Sequence, residues 1–392
     1  MKGWLLVAAG CAGEAPCARL HDALASCDLA PASDTCGEVS PGVQRALLAQ
    51  IDAEGCAGLY GPDRTVLPSA CEAFGWDCPP PLYAGAPAHP AHPVVLVSGI
   101  DDAPAFDWSP EVVDAVDAVA EAHHVTLPGW ETREVRARAL WDALQALPGE
   151  RLNLVCYAVG GLDCRYLASP GGLFVDDPAA YGAVARKIGS ITTLATPHRG
   201  TNVADALLAA PPGEWTDLVG SALLGPDGGS EDERQARLEA VLQELTLTAG
   251  RTFAEQVVDA PGVAYRSYAG VSRAFDQDLL PSEVEIRDAC TSLGQVRYLH
   301  YEGGHDRMSD VLWPLAGFAE VQAGASGLRT TGPADGMVAV ESAAWTGFAG
   351  CLPADHYDVI GRLEEHGADP RTGFDAAGFA QHVVGALAEE GL

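Results

Sequence analysis

From Val94 onward the chain alternates short apolar runs with stretches of helical periodicity, and this alternation narrows the fold more than any other feature. VVLVS at 94–98 predicts a buried strand, and Pro110 opens a helix with Val112, Val116 and Val119 turned inward. HVTLP at 124–128 predicts a second strand, followed by a long helix from Thr132 to Leu147. LNLVCY at 152–157 is a third strand that passes at once through AVGG into a helix reaching Arg165. ITTLAT at 191–196 and VAYRSYAG at 263–270 continue the series, and a last helix spans 374–389 with Phe374, Phe379, Val383 and Leu387 available for packing. Strands this apolar, separated by helices, predict a mostly parallel sheet covered on both faces. Residues 200–260 break the rhythm: they are helical and Ala/Leu-rich, and they lie where an α/β fold often inserts a cap.

With 392 residues, 48% of them hydrophobic, the chain can build one large core and a small appendage. Its 54 acidic residues against 23 basic ones give a formal charge of -31, which argues against binding nucleic acid or anionic lipid headgroups. The start, MKGWLLVAAGCAG, places Lys2 before an apolar stretch and then Gly10 and Cys11. It looks like the lipobox of a bacterial lipoprotein, in which Cys11 would be acylated and hold the exported protein to a membrane. A secreted protein with a misplaced start and a cytoplasmic protein are the competing readings. Of the 11 cysteines, Cys17, Cys27, Cys36, Cys56, Cys71 and Cys78 crowd into one stretch. That stretch reads as a disulfide-stapled extension, with a zinc site involving His21 as the alternative. Within it, SPGVQRALLAQIDAEG predicts a helix capped by Ser40 and ended by Gly55. The expected organisation is a signal segment at 1–11, the cysteine-rich extension at 12–85, and an α/β domain at 86–392. The proline-rich 79–93 forms the linker.

The strand–turn–helix LNLVCYAVGGLDCRYLAS carries the most chemistry. It resembles the nucleophile elbow of the α/β-hydrolases, a turn so tight that the flanking positions must be small. In detail it resembles the bacterial true lipases, the triacylglycerol lipases of the Pseudomonas/Burkholderia type. Four further segments agree in content and order. HPVVLVSGI at 92–100 is similar to the first core strand and oxyanion loop, and TLPGWETREVRARAL at 126–140 to the second strand and its helix. SITTLATPHRGTNVAD at 190–205 is similar to the stretch leading into the lid, while ADGMVAV and ADHYDVIG are similar to the segments carrying the acid and the histidine. The resemblance implies an α/β-hydrolase fold with a helical lid at about 200–260. It also implies Asp335 as the acid, His356 as the base, and the N–H groups of Ile100 and Val159 as the oxyanion hole.

The position of the nucleophile holds Ala158, whose methyl group cannot attack a carbonyl. Cys156 precedes the turn inside the strand, Tyr157 sits beside it, and Ser98 replaces the family's histidine at the oxyanion loop. Departures at Cys156 and Ser98 as well as Ala158 favour natural drift over a deliberate exchange. Members of the family hold a structural calcium near the histidine. Asp358 matches one ligand, and Asp306 or Asp310 would supply the second, but Arg362 stands where a glutamine is usual and would oppose a cation. His300, Glu302, His305 and Asp306 form a second, looser metal candidate without a specific spacing, and His123–His124 border a strand as an exposed pair. No cofactor is required by any of this. The sequence therefore points to a lipase-like protein that has lost its serine and binds an acyl ester or fatty-acyl ligand. The alternatives are an active carboxylic ester hydrolase and a purely structural envelope protein. Relatives often need a folding chaperone, a partner this chain could share.

Overall fold

The computed structural model describes residues 89–100, 107–210, 230–273, 306, 308–309, 311–323, 329–362 and 374–392, with isolated positions at 19, 23, 48, 51, 286, 289 and 290. The chain divides into two compact units. One comprises Met1–Pro81, Glu302–Gly304 and Ala368–Gly373; the other holds Leu82–Tyr301, His305–Gly367 and Phe374–Leu392. The helix expected at 40–55, Cys11 and the six clustered cysteines lie outside the described residues, apart from single positions in that helix.

The larger unit is built on a six-stranded sheet. Its strands are β1 (Val94–Val97), β2 (Ala122–Val125), β3 (Leu152–Tyr157), β4 (Ile188–Leu194), β5 (Ala264–Gly270) and, later in the chain, β8 (Phe348–Leu352). They lie in the order β2-β1-β3-β4-β5-β8, and every pair is parallel. Between them come α1 (Pro110–Asp117), α2 (Arg133–Ala146), α3 (Val159–Ala168) and α4 (Pro178–Lys187). Helices α5 (Asn202–Ala209), α6 (Glu231–Leu245) and α7 (Leu247–Gln256) form the insertion after β4. Helix α8 (Trp313–Ala319), a small antiparallel hairpin of β6 (Val321–Ala323) and β7 (Arg329–Thr331), and α9 (Val340–Ala343) precede β8; α10 (Ala376–Glu389) closes the chain. This is an α/β-hydrolase-like fold with a helical insertion.

Strand periodicity explains the two layers. Side chains alternate across the sheet, so Val94 and Leu96 of β1 join Val155 and Tyr157 of β3 on one face, where α1 and α10 contribute Val112, Val116, Phe379, Val383 and Leu387. Val95 and Val97 join Leu154 and Cys156 on the other face, against Ala137, Leu140 and Leu144 of α2 and Val184 of α4. A leucine fully buried in such a layer stabilises the fold by roughly 1.5–3 kcal/mol. The helix starts follow local chemistry. Ser109 caps α1 ahead of Pro110, and Ser230 with Glu233 forms a capping box on α6.

Among the strands, two are shifted from the sequence expectation and one was not expected. β2 begins at Ala122 rather than His124, because a strand at the sheet's edge tolerates His123 and His124 where an interior strand would not. β4 starts at Ile188 and stops before Ala195, where the backbone turns to φ 52°. β8 went unread because Gly350 interrupts a five-residue run, with a register shift in its partner β5. Both disulfides among the described residues lie in this unit, joining Cys156 to Cys164 and Cys290 to Cys351.

Candidate active site

The site begins with a turn. β3 arrives fully buried, and Ala158 then adopts φ 47°, ψ -125° before α3 starts at Val159. A residue with a Cβ in this region carries about 1–3 kcal/mol of strain, so its surroundings must over-determine it. The Ala158 N–H donates to the Leu194 carbonyl at 2.9 Å, and its own carbonyl accepts from the Gly161 N–H at 3.0 Å. The glycines that follow are forced by space. A Cβ on Gly160 would lie 2.2 Å from the Ser98 carbonyl oxygen, and one on Gly161 would lie 2.1 Å from Thr196 Oγ1. Only two other described non-glycine residues have positive φ: Trp130, in the stretch between β2 and α2, and Ala195, directly after the adjacent β4. Trp130 N–H donates to the Ile100 carbonyl, and Ala195 N–H to that of Tyr268.

Asp335 and His356 come together although 21 residues separate them. The Asp335 Oδ1 accepts from the N–H groups of Met337 and Val338 at 2.9 and 2.7 Å, which fixes the carboxylate. Its Oδ2 lies 2.8 Å from His356 Nδ1, and the His356 N–H donates to the Asp335 carbonyl at 2.9 Å. With Nδ1 donating its proton to a carboxylate, Nε2 keeps a lone pair and is available as a base. Tyr157, the residue before the turn, donates its hydroxyl to the His356 carbonyl at 2.8 Å, and the two rings stand 5.1 Å apart. Burial pushes the Tyr157 hydroxyl well above its ordinary value, so it stays a neutral donor. The turn and the dyad are thereby joined by one side chain.

The loop after β1 is held from beneath. Arg136 of α2 is fully buried; its Nη1 donates to the carbonyls of Ile100 and Pro128, Nη2 to that of Gly99, and Nε to Asp163 Oδ2 at 2.8 Å. Burial raises the Asp163 carboxyl above its ordinary value, and the Arg136 guanidinium opposes the rise. One arginine therefore ties the loop carrying Ile100 to the helix that opens at Val159. Among the described residues neither the Ile100 nor the Val159 N–H donates to a backbone acceptor. The sequence reading missed both Arg136 and Asp163. The available signal was an arginine inside the apolar stripe of Ala137, Leu140 and Leu144, since a buried charge needs a partner.

The remaining candidates fall into place around this core. Ser98 is buried and its Oγ accepts from the Leu127 N–H at 2.9 Å, joining the ends of two strands. Cys156 is a disulfide half, so it offers no thiol. Asp306, Asp355 and Asp358 are buried with carboxylate oxygens within 4.8 Å of one another. Burial raises the Asp355 carboxyl, while hydrogen bonds from Ser309 oppose the rise. An all-oxygen set of this kind fits a hard divalent cation such as calcium. Arg362, expected to oppose a cation, directs its Nε and Nη2 to the carbonyls of Asp107 and Trp108, each at 2.8 Å, just ahead of α1. Asp355, not singled out in the sequence, takes the third place, whereas Asp310, His300, Glu302 and His305 lie outside the described residues. His124 bonds Asp107 at 2.6 Å, away from any metal set.

The parallel sheet thus carries a strained turn after β3, with an acid and a histidine paired on later loops. No protein-family model matches the chain. The chain is 24% identical over 240 residues to a triacylglycerol lipase of Burkholderia plantarii, across 55% of its own length and 63% of that protein's. It is 24% identical over 227 residues to a triacylglycerol lipase of Pseudarthrobacter phenanthrenivorans, across 52% of itself and 67% of that protein. Among solved structures, EstA from Clostridium botulinum aligns over 78% of this chain and 90% of its own, with 13% identity and a TM-score of 0.49. The chain is therefore distantly similar to bacterial triacylglycerol lipases over about half of its length.

Proposed function

We propose that the protein is an α/β-hydrolase homologue that binds an acyl ester or fatty-acyl ligand at a site with acid and base in place and no nucleophile. Ala158 stands at the nucleophile's position, so no acyl-enzyme forms there. The carrying observation is the coexistence of two features. Ala158 keeps the strained φ 47°, ψ -125° of the turn, and the His356–Asp335 pair keeps its 2.8 Å hydrogen bond. A ligand carbonyl would meet the N–H groups of Ile100 and Val159, the latter at a helix N-terminus where the dipole favours negative charge. The three converging aspartates would hold a calcium ion beside the loop of His356, where its charge would steady that loop. Buried disulfides accord with an exported protein, anchored through Cys11 or secreted. Among the described residues no helix is long and apolar enough to cross a membrane.

The second reading, an active ester hydrolase, draws on the same intact dyad. The deciding experiment compares p-nitrophenyl ester hydrolysis by the protein and by Ala158→Ser, alongside binding of a fluorescent fatty acid. We expect saturable binding by both and hydrolysis gained by at least about 10³-fold in the serine form. Equal turnover by both proteins would replace the binding reading with the hydrolase one. Absence of binding together with absence of turnover in either form would sink both.

A further inference from the structure

The turn at Ala158 lies inside a covalent ring. Cys156 is the penultimate residue of β3, Cys164 sits on the second turn of α3, and their disulfide closes a loop with a sequence separation of 8. The ring encloses Tyr157, Ala158, Val159, Gly160, Gly161 and Asp163: the donor to His356, the strained residue, the expected oxyanion N–H, the two glycines packed on Ser98 and Thr196, and the partner of Arg136. Both cysteines are fully buried.

Hydrolase chemistry does not ask for this bridge. The elbow pattern has glycine at the position of Cys156, because the turn leaves little room. A side chain is accommodated here by bonding across to the helix. The bridge spans the strained residue itself. A serine in this turn would have a hydroxyl for the histidine, whereas the Ala158 methyl makes no polar contact, so the strain must be held by backbone bonds, packing and the covalent link.

We propose that the Cys156–Cys164 disulfide is a positioning device: it keeps the turn, and with it the Val159 N–H, oriented toward a ligand carbonyl despite the missing nucleophile. This rests on the acyl-ester reading of the site. It assigns the two cysteines a role in binding geometry and not only in stability.

The first test needs no activity. Amide hydrogen exchange of residues 157–163 is compared between the protein and the Cys156→Gly/Cys164→Ser double variant under native conditions. Exchange in that segment should rise by about 10-fold or more while β4 stays protected, as expected for local opening. Unchanged protection overturns the proposal, whatever the ligand turns out to be. The second test adds Ala158→Ser to both forms. Loss of the bridge should lower kcat by about 10-fold with KM within about twofold, because the oxyanion contact strengthens in the transition state. A lower melting temperature with kcat unchanged well below it would mean a merely structural bridge. A serine form that is inactive with the bridge intact counts against the acyl-ester reading, and the exchange result still decides the bridge. Cys156→Ala/Cys164→Ala serves if the glycine version does not fold. Failure of both to fold overturns the local role in favour of a global one.

Discussion

The two halves of the site have kept different things. At the turn between β3 and α3 the backbone is the distinctive part: Ala158 holds a conformation that alanine rarely adopts, and its methyl offers no reactive group. On the loops before α9 and after β8 the side chains are preserved: Asp335 is gripped by two N–H groups and itself orients His356. Strain in the first half has no obvious use in a protein that needs only a compact fold, since relaxing the turn would recover about 1–3 kcal/mol. Its presence beside an ordered dyad is what the proposed ligand-binding reading rests on: under that reading the surroundings hold the geometry of the site without a hydroxyl at residue 158.

The sharpest way to break this comparison is to restore one half and delete the other. In the Ala158→Ser protein, His356→Ala should abolish the gained ester hydrolysis by about 10³–10⁴-fold or more, because nucleophile and base act as a unit. Steady-state rates on a p-nitrophenyl ester measure it. If the double variant keeps the activity of Ala158→Ser, the dyad is ornamental and the two halves are not one site.

Arg136 offers the next largest effect. It reaches both the loop of Ile100 and, through Asp163, the helix of Val159. Arg136→Met would leave Asp163 buried without its cation and should destabilise the protein by about 3–5 kcal/mol in chemical denaturation. Adding Asp163→Asn should return a part of that loss. If the single variant is as stable as the parent, the pair does not hold the two elements together, and the ordered loop must owe its position to packing alone.

How much of this was readable depends on the distance over which each feature is determined. The strands β1, β3 and β5 and the turn at Ala158 are local: continuous apolar runs, then the pair Gly160–Gly161 where Ser98 and Thr196 leave no room for a Cβ. Asp335 and His356 were legible through their order and through a resemblance to lipases, not through spacing. The Arg136–Asp163 pair was hidden because its partners come from separate elements, α2 and α3; of the aspartates, Asp306 and Asp358 were read through the resemblance to lipases and only Asp355 was missed. The partners of Arg362 were hidden for the same reason: a four-residue offset from Asp358 says nothing about a guanidinium that donates to the Asp107 carbonyl. The Cys156–Cys164 bridge was missed because Cys156 was read as a buried strand residue, while disulfide reasoning was drawn to the amino-terminal cysteines, outside the described residues.

The smallest effect distinguishes the halves by their response to pH. Glu320 follows α8, and its carbonyl accepts from the Gly332 N–H at 2.8 Å, in the stretch leading to Asp335. Burial pushes its carboxyl up to about 7 from 4.5. A carboxyl raised on folding favours the protonated form in the native state. Its stabilising contribution is therefore full below about 4.5 and is lost as pH rises through about 7. Glu320→Gln removes this dependence. Because the side chain is only partly buried, the full linkage energy is screened, and the variant should exceed the parent by about 1 kcal/mol at pH 8 while matching it near pH 5. Denaturant midpoints at the two pH values read the difference. An equal gap at both would mean that the glutamate acts through packing, and that the acid-bearing half of the site is no more sensitive to pH than the turn it faces.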